Sequence, residues 1–266
     1  MLVTRFQRNR IIFAASLPIA VWQCTPALAV DDTWQVTLGA GVVSSPEYPG
    51  ASDNKTRALP VISATYGRYF IGSVPGVGVP AGLGAYLYQD SQWRIGVAIG
   101  GGIGKARDES DDPRLRGLGN IDGTARGGVF ASYQGSWYAV RANVMTDIGG
   151  KDQGTLAALD FDARYVPLRG LTLTAGPGLI WADNAYTRTF FGIDGLQNVR
   201  SGLARYEAKG GINSVRFSVG ASYRLTPNWM LNARVTAAEL RGDAVNSPIT
   251  ADKSQVTFGM FASYRF

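Results

Sequence analysis

The chain is 266 residues long, with 26 basic and 20 acidic residues, no histidine and a single cysteine. Without histidine there is no Ser-His or Cys-His nucleophile pair and no histidine-based zinc site, and one cysteine makes no internal disulfide. Charges of both signs are dispersed and no basic run is interleaved with aromatics, so the sequence points away from nucleic acid.

Arg5, Arg8 and Arg10 precede an apolar run from Ile11 to Val21, and Ala27-Leu28-Ala29 follows the small-x-small rule for signal-peptidase cleavage. Residues 1–29 are therefore expected to be a cleaved signal peptide, which leaves 30–266 as a single mature domain whose fold the strand pattern below decides. Cleavage removes Cys24, which is no lipoprotein cysteine because Trp22 and Gln23 stand where small residues are needed. It also leaves 23 of the 26 basic residues against 20 acidic ones, so the mature protein is only mildly basic. Export without cysteine fits a periplasmic or outer-membrane destination. Glycine, at 34 residues, is nearly twice its usual share, and Tyr and Trp together outnumber Phe, as suits a membrane interface.

A first strand is predicted over about 33–44, where Trp34, Val36, Leu38, Ala40 and Val42 alternate with Gln35, Thr37, Gly39 and Gly41. A polar loop, Ser45 to Arg57, leads to strands at about 58–66 and 69–74. The segment Tyr69 to Gln89 is uncharged, yet Pro75 and Pro80 would each cost a helix about 3 kcal/mol, so it reads as strand, Gly/Pro loop, strand. Strands at about 83–88 and 92–102 follow, then a charged loop at roughly 104–122, then strands at about 123–133 and 137–147. The clearest two-faced segment before the last is about 155–166, with Ala157, Leu159, Phe161, Ala163 and Tyr165 against Asp160, Asp162 and Arg164. Pro167-Leu168-Arg169-Gly170 turns into a strand at about 171–182, and the longest loop is about 183–212. Strands at about 213–225 and 229–238 and a loop at 239–254 lead to the closing strand, 255–266. There Val256, Phe258, Met260, Ala262, Tyr264 and Phe266 form an apolar row, with Phe261 alone out of place on the polar face.

Connections alternate between short and long along this series, and the strand count is an even twelve. Short periplasmic turns opposite long external loops are the habit of transmembrane barrels, and a soluble sandwich has no reason to sort loops by parity. The expected fold is thus an all-β, antiparallel, up-and-down transmembrane β-barrel of about 12 strands in outer-membrane lipid and lipopolysaccharide. Tyr264 and Phe266 are its expected signal to the barrel-assembly machinery.

With apolar rows toward lipid, the opposite rows line the lumen. They carry Arg94, Arg126, Arg141, Arg164, Arg216, Arg224 and Arg234, with Asp147, Asp160 and Asp162 among them. An Arg at the lipid midplane would cost about 2–4 kcal/mol, which drives these side chains inward. Two readings follow: an interior ion-pair network that holds the barrel shut, or a pore whose arginine excess favours anions. A carboxylate-only hydrolase at Asp160 and Asp162 is the weaker reading of that pair, because Arg164 beside them suggests ion pairing. The glycines of Gly100-Gly101-Gly102-Ile103-Gly104-Lys105-Ala106 lack the spacing and terminal Ser/Thr of a phosphate loop. Asp108-Glu109-Ser110-Asp111-Asp112 reads as a solvated loop or as a divalent cation site, without EF-hand spacing. No cofactor and no enzymatic activity are expected.

Several motifs taken together resemble the MipA/OmpV outer-membrane proteins, also called MltA-interacting proteins. They are Pro46-Glu47-Tyr48-Pro49-Gly50, Gly117-Leu118-Gly119, Trp181-Ala182-Asp183-Asn184-Ala185-Tyr186, and Thr189-Phe190-Phe191-Gly192-Ile193, with Gly242-Asp243-Ala244, Ser247-Pro248-Ile249 and Ser263-Tyr264-Arg265-Phe266. The resemblance implies a barrel without catalytic residues, acting as a scaffold that joins a lytic murein transglycosylase to a penicillin-binding synthase. Other members are surface antigens, adhesins or porin-like proteins. The motifs are mostly Gly, Pro and aromatic, so shaping turns and packing the loop crown is an equally good role for them.

Overall fold

Period-two alternation sets the architecture, because a strand crossing lipid must hide its polar row and can do so only by closing a barrel around it. The computed structural model describes residues 33–72, 82–102 and 105–266. The expected signal peptide and the Gly/Pro segment around Pro75 and Pro80 lie outside the described residues. Among the described residues fourteen strands run in chain order: β1 (Gln35–Pro46), β2 (Asn54–Tyr66), β3 (Tyr69–Gly72), β4 (Gly82–Gln89), β5 (Trp93–Gly101), β6 (Lys105–Arg107), β7 (Ile121–Asp122), β8 (Ala125–Gln134), β9 (Tyr138–Asp147), β10 (Thr155–Leu168), β11 (Leu171–Ala182), β12 (Gly211–Arg224), β13 (Trp229–Leu240) and β14 (Ser254–Arg265). Twelve form a closed antiparallel barrel in the order β1-β14-β13-β12-β11-β10-β9-β8-β5-β4-β3-β2, while β6 and β7 pair apart as a ribbon in an external loop. Among the described residues no helix is long and apolar enough to cross a membrane.

Closure is made by β14 against β1, in register from Thr37 opposite Arg265 to Ser44 opposite Phe258, and the barrel sheet has no open edge. The outward row of β14 holds exposed Val256, Phe258 and Met260, and the inward row holds buried Gln255, Thr257, Phe261 and Ser263. Phe261 thus keeps strict alternation; it belongs to the lumen, where it packs with Val43 and Val61.

Turns between β2 and β3, β4 and β5, β8 and β9, β10 and β11, and β12 and β13 are no longer than four residues. At this end exposed aromatics gather in a belt: Trp34, Tyr66, Tyr69, Trp93, Trp137, Tyr165, Trp229 and Phe266. Neighbours touch, as in Trp34–Tyr66 at 5.1 Å, Trp93–Tyr133 at 4.9 Å and Tyr264–Phe266 at 4.9 Å. Amphipathic rings at one rim mark the headgroup level on the periplasmic side.

Three local expectations differ from the structure. β2 begins at Asn54 rather than about 58, because the added residues pair with β1 up to Pro46 above the lipid. The strand expected to end near 166 runs to Leu168: Pro167 cannot donate to a ladder, and the register shifts between Tyr165 and Leu168 instead of turning there. The loop expected over 183–212 is about half helical, with α1 (Asn184–Phe191) and α2 (Gly195–Ser201), and a third short helix, α3 (Gly242–Val245), stands in the last loop. Asp183 caps α1 by accepting from the Tyr186 amide, and Asp194 with Gln197 forms a capping box on α2.

Candidate functional site

The lumen divides into an apolar half and an ionic half. Under β3, β4, β5, β8 and β9, Phe70, Tyr86, Ala98, Phe130 and Met145 form one buried cluster, with Phe70 and Phe130 edge to face at 5.9 Å. Room for those rings comes from glycine: a Cβ at Gly96 would lie 2.6 Å from the Phe130 ring, and one at Gly41 would strike Phe261. Part of the glycine excess is therefore interior space.

On the other half, Asp162 of β10 is fully buried and accepts from Arg141 of β9 and from Arg234 of β13, the latter at 3.1 Å. Asp160, two residues back on the same lumen row, takes Arg216 Nε at 2.8 Å and Nη2 at 2.7 Å in a bidentate pair. Two carboxylates thus hold three guanidinium groups at middle depth. Burying such charges is favourable only when paired and hydrogen-bonded, and here each carboxylate meets at least one guanidinium.

The remaining predicted lumen residues go elsewhere. Arg126 sits at the external end, where it donates to the carbonyls of Gln153 at 3.1 Å and Gly154 at 3.2 Å and lies over the Tyr186 ring. Asp147 also leaves the lumen network; it accepts from Thr124 Oγ1 and from the amides of Gly149, Lys151 and Gln153, and so shapes the loop after β9. Arg164 meets the Gln134 amide oxygen, Arg94 stands opposite Ser132, and Arg224 lines the periplasmic mouth. Tyr264 and Phe266 belong to the rim belt; the Phe266 amide donates to the Val36 carbonyl at 2.9 Å.

Above the ionic layer the external loops fold over the barrel into a cap with its own core. Tyr48, Leu115, Leu118, Ile193 and Ile249 form one buried cluster; Tyr186, Phe190, Phe191, Leu240 and Ala244 anchor a second. Polar bonds tie loop to loop. Tyr48 Oη donates to Asp112 at 3.2 Å, Ser247 Oγ to the Phe191 carbonyl at 2.6 Å, Tyr206 Oη to the Asp243 carbonyl at 2.9 Å and Gln197 Nε2 to the Leu118 carbonyl at 2.7 Å. Arg107 is 2% exposed and donates to the Phe190 carbonyl at 3.1 Å; burial pushes its guanidinium down to about 10. Burial likewise lifts the Tyr48 and Tyr186 phenols, the latter to about 12, so both stay neutral hydrogen-bond formers at ordinary pH. Asp108 and Asp111 are engaged by Lys105 and Lys55, and among the described residues no three His, Cys, Asp or Glu groups gather as a metal site.

The loop motifs singled out in the sequence mostly land in this cap. Tyr48, Leu118, Tyr186, Phe190, Phe191, Ile193, Ala244 and Ile249 are all buried there. Gly117, at φ +81°, passes so close to the backbone of Arg200 that a Cβ would lie 2.6 Å from its carbonyl carbon. This agrees with the loop-crown packing role open to these motifs in the sequence; which residues meet was not legible, because the cores are assembled from short pieces of four loops.

At the opposite end the lumen opens to the periplasm in a cavity of about 620 Å³ bounded by β11, β12 and β13. Among the described residues, the external end thus carries packed loop cores and the periplasmic end an open cavity.

Comparisons with known proteins agree with this architecture. The outer-membrane protein YiaT of Escherichia coli K12 is 24% identical over 243 residues, covering 91% of this chain and 95% of the relative. The MltA-interacting protein of Escherichia coli K12 is 24% identical over 241 residues, covering 90% and 92%. In fold, an outer-membrane channel from Pseudomonas putida F1 superposes with a TM-score of 0.51 at 12% identity, covering 92% of this chain and 100% of that one. A family profile described as MltA-interacting protein MipA matches residues 38–266, so this outer-membrane barrel belongs to the MipA family.

Proposed function

We propose that the protein is a non-enzymatic, non-conducting barrel that holds peptidoglycan-remodelling enzymes, a lytic transglycosylase and a penicillin-binding synthase, at its periplasmic rim. The observation that supports the closed reading is the cap: Leu115, Phe191 and Ile249 are each 0% exposed within the packed external loops, and dry packing of that kind leaves little room for a water-filled passage. The partner reading rests on the relative named for an interaction with MltA, matched over 90% of this chain. The periplasmic turns offer little height, so contact would be made by the rim: exposed Trp137, Arg68 and their neighbours. Aromatic and arginine side chains are the residues that most often anchor such interfaces.

Two measurements test this. Folded barrel reconstituted in planar bilayers carries no single-channel current; steady ohmic channels would show the anion-channel reading to be the right one. Immobilised barrel retains a purified lytic transglycosylase, and Arg68→Glu weakens that capture; failure to retain either enzyme removes the scaffold reading.

A further inference from the structure

Charge is distributed unevenly between the two ends of the barrel. Apart from Asp160 and Asp162, which are committed to the mid-lumen pairs, Asp90 is the only side-chain carboxylate among the described residues of the periplasmic half. Against it stand Arg68, Arg94, Arg164, Arg169, Arg224 and Arg265. Asp90 sits in the turn after β4, diametrically opposite β12 in the twelve-strand ring, and is occupied by the Tyr88 hydroxyl and the amides of Gln92 and Trp93.

The periplasmic cavity lies on the side of the ring away from Asp90. Arg169 and Arg224 guard its entrance, and Thr172, Ser222 and Thr226 present hydroxyls to it. Met230 adds an apolar wall. Behind this lining, Asn232 of β13 accepts from Ser222 Oγ at 2.8 Å and fixes that side chain in place. A ligand rich in acceptors, resting on the hydroxyls of Thr172 and Thr226 with its charge toward Arg169 and Arg224, would fit this lining.

We propose that this cavity is a binding site for a small organic anion bearing carboxylates, entering from the periplasm and stopped by the ionic layer above. A volume of about 620 Å³ is in the range of small-molecule sites and far larger than one inorganic anion needs, and the apolar wall favours a carbon skeleton. Cationic forks beside hydroxyl donors suit carboxylate oxygens. The site does not depend on the scaffold reading, because a soluble probe reports on the cavity and enzyme capture reports on the rim.

Isothermal titration of the folded full-length barrel in an uncharged detergent, with tetraglutamate as probe, tests the site. Saturable binding is expected at low salt, with none for tetralysine, and both Arg224→Gln and Arg169→Gln weaken it by about tenfold. Lys253→Gln on the external side leaves it unchanged, and heat-modifiable gel migration verifies folding of each variant. Absence of saturable binding at millimolar probe, or equal affinity in Arg224→Gln, Arg169→Gln and the unaltered protein, overturns the proposal. Inorganic phosphate binding as tightly as the peptide overturns the organic part of it.

Discussion

Asp162 on β10 accepts from Arg234 on β13 at 3.1 Å across two intervening strands. The bond is a chord cutting a corner of the lumen, and Arg141 on β9 reaches the same carboxylate from the other side. One acid thereby joins three walls of the barrel.

Removing that acid leaves two cations in the lumen without their shared partner. Asp162→Ala is expected to destabilise the barrel by about 3–5 kcal/mol, measured by urea unfolding in lipid vesicles followed by tryptophan fluorescence. A loss below about 1 kcal/mol would mean that the network is not structural.

The cap should loosen in acid. Lys105 donates to Asp108, as do the amide and hydroxyl of Ser110, and together they hold its carboxyl down to about 2 from an ordinary 3.8. A depressed acid stabilises the fold fully above 3.8 and loses that contribution as the pH falls through about 2. Hydrogen exchange across residues 105–122 should therefore accelerate between about pH 5 and about pH 2 beyond the intrinsic trend. Asp108→Asn should exchange fast at both; equal protection in the two proteins would rule this contact out as the acid-sensitive one.

Interior glycines are predicted to be intolerant of even one methyl. At Gly96 a Cβ would meet the Phe130 ring at 2.6 Å and the Ala85 carbonyl as well, so Gly96→Ala should cost about 1–3 kcal/mol of unfolding free energy. Gly195, whose Cβ would meet nothing within 4 Å, serves as the control, and Gly195→Ala should be neutral. Similar losses in both variants would remove the packing explanation.

Phe266 is 68% exposed at the rim, so it contributes little to the core. We expect its deletion to lower the amount of protein reaching the outer membrane severalfold while barrel assembled in vitro keeps near-normal stability. Normal outer-membrane levels of the deletion, quantified by immunoblot of membrane fractions, would show that Phe266 is no assembly signal.

Alternation along each strand, the parity of loop lengths and the even strand count were legible in the chain, because a period-two pattern in lipid has one closed solution. The inward placement of Arg141, Asp160, Asp162, Arg216 and Arg234 followed from the same rule. Local pattern could not say which charges meet. Asp162 finds Arg234 only because the ring brings β10 and β13 within side-chain reach, and Arg126 and Asp147 are drawn off by loop carbonyls and amides at the strand ends. The partners within the cap were beyond local reading for the same reason: its cores join residues as distant as Tyr48 and Ile249, and burial there is a property of four loops packed together. The sequence by itself determined a barrel with a wet interior. Only tertiary packing decided which loop residues are buried together at the external end, because apolar loop residues have nowhere dry to go except one another.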